Sequence, residues 1–89
     1  MNMSQSTRRA PRLTPAQIRA GRALIRWTSE DLAEASTVGL ATIRRAELGQ
    51  TVMNAPNDRA IRHALEQAGV EFIDENGGGS GVRLRKDQR

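Results

Sequence analysis

Few residues of this chain have the types and spacing that catalysis or metal binding requires. Among 89 residues there is no cysteine and a single histidine, His63. The chain therefore lacks a thiolate nucleophile. His63, with no cysteine and no second histidine, cannot make a metal site, and it has no sequence context for a catalytic triad. We predict that the chain is not an enzyme, has no metal, other cofactor or small-molecule substrate, and carries His63 at its surface.

Two further patterns have structural explanations. Glu30 and Asp31 fall in the first turn of a predicted helix, where negative charge complements the helix dipole. The run Gly77 to Gly79 could suggest a phosphate-binding loop, but neither a helix start nor a Lys-Ser or Lys-Thr ending follows it. The phosphate interpretation is therefore weak.

Basic residues are the remaining candidates for binding chemistry. The chain has 14 Lys and Arg against 10 Asp and Glu, a formal net charge of +4. This charge favours an anionic partner, either nucleic acid or an acidic protein face. Segment 1–12 is polar and basic and is predicted to be disordered. It has two interpretations: an arm that contacts phosphates or lies in a minor groove, or a solubilising terminus without a specific role.

Residues 27–49 have the pattern of two short helices joined by a tight turn. Thr28 is a good N-cap, and Asp31 completes a capping-box pattern with it. The second helix is predicted from about Leu40 to Leu48, and Gly49 follows as a C-terminal stop. Two helices joined this closely must cross, which is the helix-turn-helix arrangement.

Apolar spacing predicts two more helices. The first begins at Thr14 and runs to about Arg26, because Pro15 suits the first helical position and Gln17 completes a capping box. The other runs from Pro56 to Ala68. The residues of the first helix that are expected to point inward are Ile18, Gly21, Leu24 and Ile25, and Gly21 would let another helix approach closely.

The C-terminal residues predict a β-hairpin. Val70–Asp74 and Val82–Arg85 alternate apolar and polar side chains on either side of a Gly-rich loop. A two-stranded hairpin is marginal alone, so it is expected to pack on the helices or to pair with another chain. The predicted organisation is a basic arm at 1–12, a helical domain at 13–69, the hairpin at 70–85 and a frayed tail at 86–89.

Leu13–Gly49 resembles the helix-turn-helix of the Cro/cI repressor family, also called the xenobiotic-response-element (XRE) family. The matching residues, spaced as in that family, are Arg22, Leu32, Ala33, Val38, Ile43 and Glu47. The resemblance implies a mainly α fold, a four-helix Cro/cI-like helix-turn-helix domain followed by a C-terminal β-hairpin. It also implies that Arg22 pairs with Glu47; the alternative is that both are solvated surface charges.

The positions that contact DNA in that family have changed here. Ser29 stands where Gln is common, and the second helix opens with Gly39, Leu40 and Ala41 where polar or basic residues are common. Base edges are bound by bidentate donors such as Arg and Gln, which Leu and Ala lack. At the turn, Thr37 replaces a glycine that often has positive φ, at a cost of about 1–2 kcal/mol. We expect either an altered turn in which Gly39 absorbs the change or a less stable helix pair.

Two functions of different classes follow. The first is a dimeric DNA-binding repressor of the Cro/cI type that reads a palindrome with the helix from Leu40. The fold, the net charge, the arm and two arginines of that helix favour it. The second is a protein-binding regulator, because an apolar residue at the exposed front of a helix suits a protein interface. The degenerate helix and the hairpin together resemble the small QseM-type antiactivators of conjugative-element transfer, which bind a transcriptional activator and keep it off its promoter.

We favour the second function, an antiactivator that binds a bacterial transcriptional activator by protein–protein contact; in the alternative the partner is DNA. The residues expected at the partner-binding or DNA-facing surface are Ser29, Gly39, Leu40, Ala41, Thr42, Arg44 and Arg45. For the two arginines the alternative is a solvated helix face. No apolar run approaches membrane-spanning length and the first residues lack a signal-peptide core, so we predict a cytoplasmic protein without a membrane partner.

Overall fold

Four helices and a β-hairpin follow one another along residues 11–86, the part of the chain that the computed structural model describes. The helices are α1 (Pro15–Leu24), α2 (Ser29–Ser36), α3 (Leu40–Glu47) and α4 (Ala55–Gln67), and the antiparallel strands are β1 (Val70–Ile73) and β2 (Gly81–Leu84). The mainly α class and the C-terminal hairpin are confirmed. Residues 1–10 of the predicted arm and residues 87–89 of the predicted tail lie outside the described residues.

Both predicted capping boxes are present. Thr14 accepts a hydrogen bond from the Gln17 amide at 3.0 Å, and the Gln17 side chain accepts one from the Thr14 amide at 2.9 Å. Thr28 and Asp31 form the same reciprocal pair at the start of α2. Each box satisfies two backbone donors that the first turn leaves without intrahelical partners, and so fixes where its helix begins.

The helix boundaries lie within two residues of the prediction, and two of the differences have a local cause. Helix α1 ends at Leu24 instead of Arg26, because Arg26 has a left-handed φ of 59° and the Trp27 amide turns back to the Arg22 carbonyl. Helix α4 begins at Ala55, one residue before Pro56, because the Asn54 side chain accepts a 2.8 Å bond from the Asn57 amide and so acts as the N-cap.

The core is built from all four helices and the first strand. Its six fully buried large side chains are Ile18, Leu32, Ile43, Ile61, Leu65 and Val70. A Cβ on Gly21 would lie 3.3 Å from Leu65 Cδ1 and 3.7 Å from Val70 Cγ1, which confirms that this glycine permits a close approach. The expectation that Leu24 points inward is wrong, since it is 38% exposed. It is the last residue of α1.

The hairpin packs on the helices through one of its faces. In the register, Val70 lies opposite Leu84 and Phe72 opposite Val82, and Phe72 and Val82 contact the core. The Gln17 side chain donates to the Gly81 carbonyl at 3.1 Å, which joins α1 to β2. These contacts supply the support that an isolated two-stranded hairpin lacks.

The outer face of the hairpin carries a cross-strand ion pair, and we expect it to give a small acid dependence. The Arg83 guanidinium hydrogen-bonds Glu71 at 2.8 Å and holds the pKa of Glu71 below its usual value of 4.5. A carboxylate with a lowered pKa stabilises the fold above that usual value, and this contribution is lost as the pH falls through the lowered pKa. In urea unfolding at a series of pH values, the difference between wild type and Glu71→Gln should shrink below pH 4.5. A difference that stays constant into strong acid would contradict the pairing.

The segment before α1 is fixed to α4. The buried Asp58 carboxylate accepts a bond from the Leu13 amide at 2.9 Å, and Arg12 Nε donates to the Met53 carbonyl at 3.1 Å. Arg62 donates in turn to the Pro11 carbonyl at 3.0 Å. Residues 11–13 therefore lie against α4 and the link before it, so Pro11 and Arg12, predicted as the end of the disordered arm, are packed on the helical domain instead.

Candidate functional site

Helices α2 and α3 form a tight pair around a short turn. Leu32 and Ile43 are fully buried between the helices and the rest of the core, and Val38 in the turn is 6% exposed, as an apolar plug should be. Ser36 Oγ donates to the Leu32 carbonyl at 2.7 Å and accepts from the Val38 amide at 3.2 Å. The turn is thus held by both packing and hydrogen bonds, so α3 has a defined orientation on α2.

The turn between α2 and α3 keeps a left-handed residue at position 37. Thr37 itself adopts the left-handed conformation, with φ 58° and ψ 21°. Gly39 has φ −59° and ψ 140°, so the expectation that it absorbs the change is wrong. The left-handed residue lies at the C-terminus of α2, where a helix commonly ends in that conformation, and β-branched Thr37 adopts it despite the steric cost.

Replacement of Thr37 by glycine is expected to stabilise the protein. Relief of the left-handed strain, about 1–2 kcal/mol, exceeds the entropic cost of glycine in the unfolded chain, and the net gain is about 0.5–1 kcal/mol in urea unfolding. Thr51→Gly is the control, because this exposed threonine lacks a positive φ and the same replacement should destabilise. Equal losses for the two variants would show that Thr37 is not strained.

A buried ion pair ties α3 to α1. Arg22 Nε and Nη2 donate to the two oxygens of Glu47 at 2.6 and 2.9 Å, and Glu47 is 6% exposed. Arg22 Nη1 also donates to the Trp27 carbonyl at 2.9 Å. The pairing is confirmed, and the alternative of two solvated charges is wrong. Arg19 donates to the Glu47 carbonyl, which anchors the end of α3 a second time.

Ser29 belongs to the edge of this ion pair. It is half-buried, and its hydroxyl donates to Glu47 Oε1 at 3.3 Å. Of the seven residues expected at the partner surface, it is the one that hydrogen-bonds a buried carboxylate within the described residues. It contributes to the placement of α3 on α2.

The other six expected residues lie at the start and outer side of α3. Gly39, Ala41, Arg44 and Arg45 are exposed, while Leu40 and Thr42 are half-buried. Leu40 lies outside the cluster of buried core residues. The front of α3 therefore combines small, apolar, hydroxyl and basic residues, and Gly39, Leu40 and Ala41 at its start offer no side-chain hydrogen-bond donor.

The two arginines of α3 differ in their surroundings. Arg44 pairs with Glu30 of α2 at 2.8 Å, with both side chains more than half exposed. Arg45 forms no ion pair within residues 11–86. Glu30 thus neutralises one of the two charges that the sequence places on this face, and a water-exposed pair of this kind is weak enough to open when a ligand competes.

Two exposed apolar side chains in the stretch after α3 were not predicted. Leu48, directly after α3, is 69% exposed, and Val52 in the following link is 84% exposed. Helical spacing could have found Leu48, which lies seven positions after Ala41 and three after Arg45. The sequence leaves open whether Val52 or Met53 packs on the core, and the structure buries Met53.

The remaining candidates for chemistry have ordinary surroundings. His63 is exposed and borders a shallow, mostly apolar cavity of about 350 Å³ between α2 and α4. In the glycine loop, the amides of Gly77 and Gly79 donate to the Glu75 carboxylate at 2.9 and 3.1 Å, so a carboxylate of the chain already occupies them. Within residues 11–86 no cluster of three or more potential metal ligands is found. No helix in that range has the length and apolarity that crossing a membrane requires.

No model of a known protein family matches the chain, and no curated protein is similar to it in sequence.

Proposed function

We propose that this chain is a transcription regulator with a Cro/cI-like helix-turn-helix whose α3 front binds a protein. The partner proposed is a bacterial transcriptional activator, and the chain acts on it as an antiactivator in the cytoplasm. No enzymatic activity and no cofactor form part of this proposal.

The composition of the α3 front carries the proposal. Gly39, Leu40 and Ala41 open the helix and have no side-chain donors for base edges. The nearest arginine, Arg44, pairs with Glu30 and would have to give up that weak pair to contact a base. A helix that enters a major groove needs donors at its leading end, whereas small and apolar residues suit contact with a complementary protein surface.

The framework behind the front supports a steric mechanism. The ion pair between Arg22 and Glu47 and the buried Val38 hold α3 in one orientation on α1 and α2. A rigid helix face binds with little loss of conformational entropy. In this proposal the bound regulator covers the surface that the activator needs for its promoter or for polymerase, and transcription falls without any contact between the regulator and bases.

A DNA-binding repressor is the second candidate. Arg45 is exposed on the same face without an ion pair within the described residues, and the chain has a formal net charge of +4. Both features favour contact with phosphates. They supply affinity that is independent of sequence, whereas a repressor also needs base contacts.

Substitution of an exposed alanine tests the proposal. Ala41→Glu places a charge on the front, and Ala35→Glu makes the same change beside His63 on the α4 side. Tagged wild type and both variants are expressed in the native host, and co-purified proteins are identified. We expect an activator to co-purify with wild type and Ala35→Glu but not with Ala41→Glu. Wild type and Ala35→Glu should lower transcription from the activator's promoter, whereas Ala41→Glu should leave that promoter active.

A parallel gel shift with the DNA upstream of the chain's own coding sequence tests the second candidate. Sequence-dependent binding at physiological salt, together with co-purification of no activator by any of the three proteins, would overturn the antiactivator function. Salt-sensitive binding without sequence preference is expected from the net charge alone. Such binding would not support the repressor function.

A further inference from the structure

Leu48 and Val52 are unusual among the large apolar side chains of the described residues. Their exposed fractions, 69% and 84%, are far above that of Leu24, the third exposed one at 38%. Both belong to the short stretch that follows α3. The Gln50 amide donates to the Arg45 carbonyl at 2.8 Å, so the chain folds back onto the end of α3 between them. Two bulky apolar groups therefore face water within five positions of the end of α3.

Helical spacing joins Leu48 to the proposed front. Arg44, Arg45 and Leu48 follow Ala41 by three, four and seven positions, which places all four on one side of the helix and its C-terminal end. All four are exposed. An arginine without an ion pair in the described residues thus lies between a small apolar residue and a large one.

Phosphate does not complement this arrangement. Arg45 could contact it, but Leu48 and Val52 have no donor to offer and would be left against a highly charged backbone. A protein segment in which a carboxylate has apolar neighbours complements Arg45, Leu48 and Val52 together. The carboxylate pairs with Arg45, and its apolar neighbours bury Leu48 and Val52.

We infer that the partner contributes an acidic segment with apolar side chains next to its carboxylate, and that this segment binds the apolar-basic surface formed by Ala41, Arg45, Leu48 and Val52. The inference rests on the proposed function and names the chemistry of its partner. Arg45 selects the acidic group and fixes the register, while Leu48 and Val52 supply most of the buried apolar area.

Site-specific photo-crosslinking in the native host tests the inference. Benzoylphenylalanine is introduced in place of Ala41, Leu48, Val52 or, as a control, Leu24, which is exposed on α1. After irradiation, the crosslinked segment is sequenced and synthesised as a peptide. We expect positions 48 and 52 to crosslink to one segment of one protein, with Asp or Glu beside apolar residues, and position 24 not to reach it.

Binding of that synthetic peptide then tests the role of each side chain. Arg45→Glu and Leu48→Ala should each weaken its affinity on the order of tenfold, while Leu24→Ala should leave it unchanged. Added salt should weaken binding to wild type more than binding to Arg45→Glu.

The outcomes separate this inference from the proposed function. If only position 41 crosslinks to protein, or if the crosslinked segment lacks Asp and Glu, the apolar-basic surface is wrong but a protein partner remains. If positions 48 and 52 give no protein crosslink, the inference is overturned. If all positions on α3 crosslink to DNA alone, the proposed function falls with it.

Discussion

Replacement of Glu47 by alanine is expected to lower the free energy of unfolding by about 3 kcal/mol. The carboxylate is 6% exposed and accepts two bonds from Arg22 and one from Ser29. Without it, the Arg22 guanidinium stays largely out of water and has lost its counter-charge. The Arg22 side chain is 19% exposed and so keeps some contact with water, which places the expected loss at the lower end of the range for buried pairs. Urea unfolding, followed by the fluorescence of Trp27, measures it.

A double-mutant cycle separates the pair from its surroundings. Arg22→Ala should destabilise by a similar amount, and the double variant by clearly less than the sum, because each single change leaves one unpaired charge. Glu71→Gln is the control, since it breaks a water-exposed pair and should shift the midpoint far less. If Glu47→Ala costs less than about 1 kcal/mol, the pair behaves like a surface ion pair and does not fix α3.

The parts of the fold that the sequence predicts well depend on local chemistry. A capping box joins residues three apart, so Thr14 with Gln17 and Thr28 with Asp31 could be recognised from spacing alone. The pair of Arg22 and Glu47 spans 25 positions, and no local rule gives it. It was predicted only because the resemblance to the Cro/cI helix-turn-helix carried the long-range contact with it.

The errors arise where tertiary contacts decide. The exposure of Leu24 depends on which elements cover the last turn of α1, and periodicity contains no such information. Asn54 and Pro56 are both good starts for a helix, and the Asn54 cap placed the boundary earlier. At the turn, the intrinsic preference of Gly39 for unusual backbone angles was outweighed by the geometry of the α2 end, which places Thr37 in the left-handed region.

The candidate site shows the same division. The sequence identifies Ala41, Arg44 and Arg45 as outer residues of α3, and the structure places them there. That Glu30 neutralises Arg44 could not be derived, because the two are 14 positions apart on different helices. The available positive charge at the front is therefore smaller than the sequence indicates. A smaller charge favours a partner with a single acidic group over the continuous line of phosphates in DNA.

Leu32→Ala should destabilise the protein by about 3–4 kcal/mol, whereas Leu48→Ala should change its stability by less than about 0.5 kcal/mol. The two replacements are chemically identical and differ only in location. Leu32 in α2 is 0% exposed and its truncation leaves a cavity between α2 and the rest of the core, while Leu48 is 69% exposed and already in contact with water. Urea unfolding of both variants, with helix content checked by circular dichroism, measures the difference.

The variant with the larger effect should be the other one when partner binding is measured instead of stability. Leu48→Ala removes an apolar group from the apolar-basic surface and should weaken binding about tenfold while the fold stays intact. Leu32→Ala leaves that surface unchanged and should bind normally at temperatures where it remains folded, because a loss of stability reduces only the fraction of folded protein. If binding instead follows stability across the two variants, Leu48 contributes nothing specific. An exposed leucine that affects neither property would be one of the isolated surface apolar residues that any protein carries.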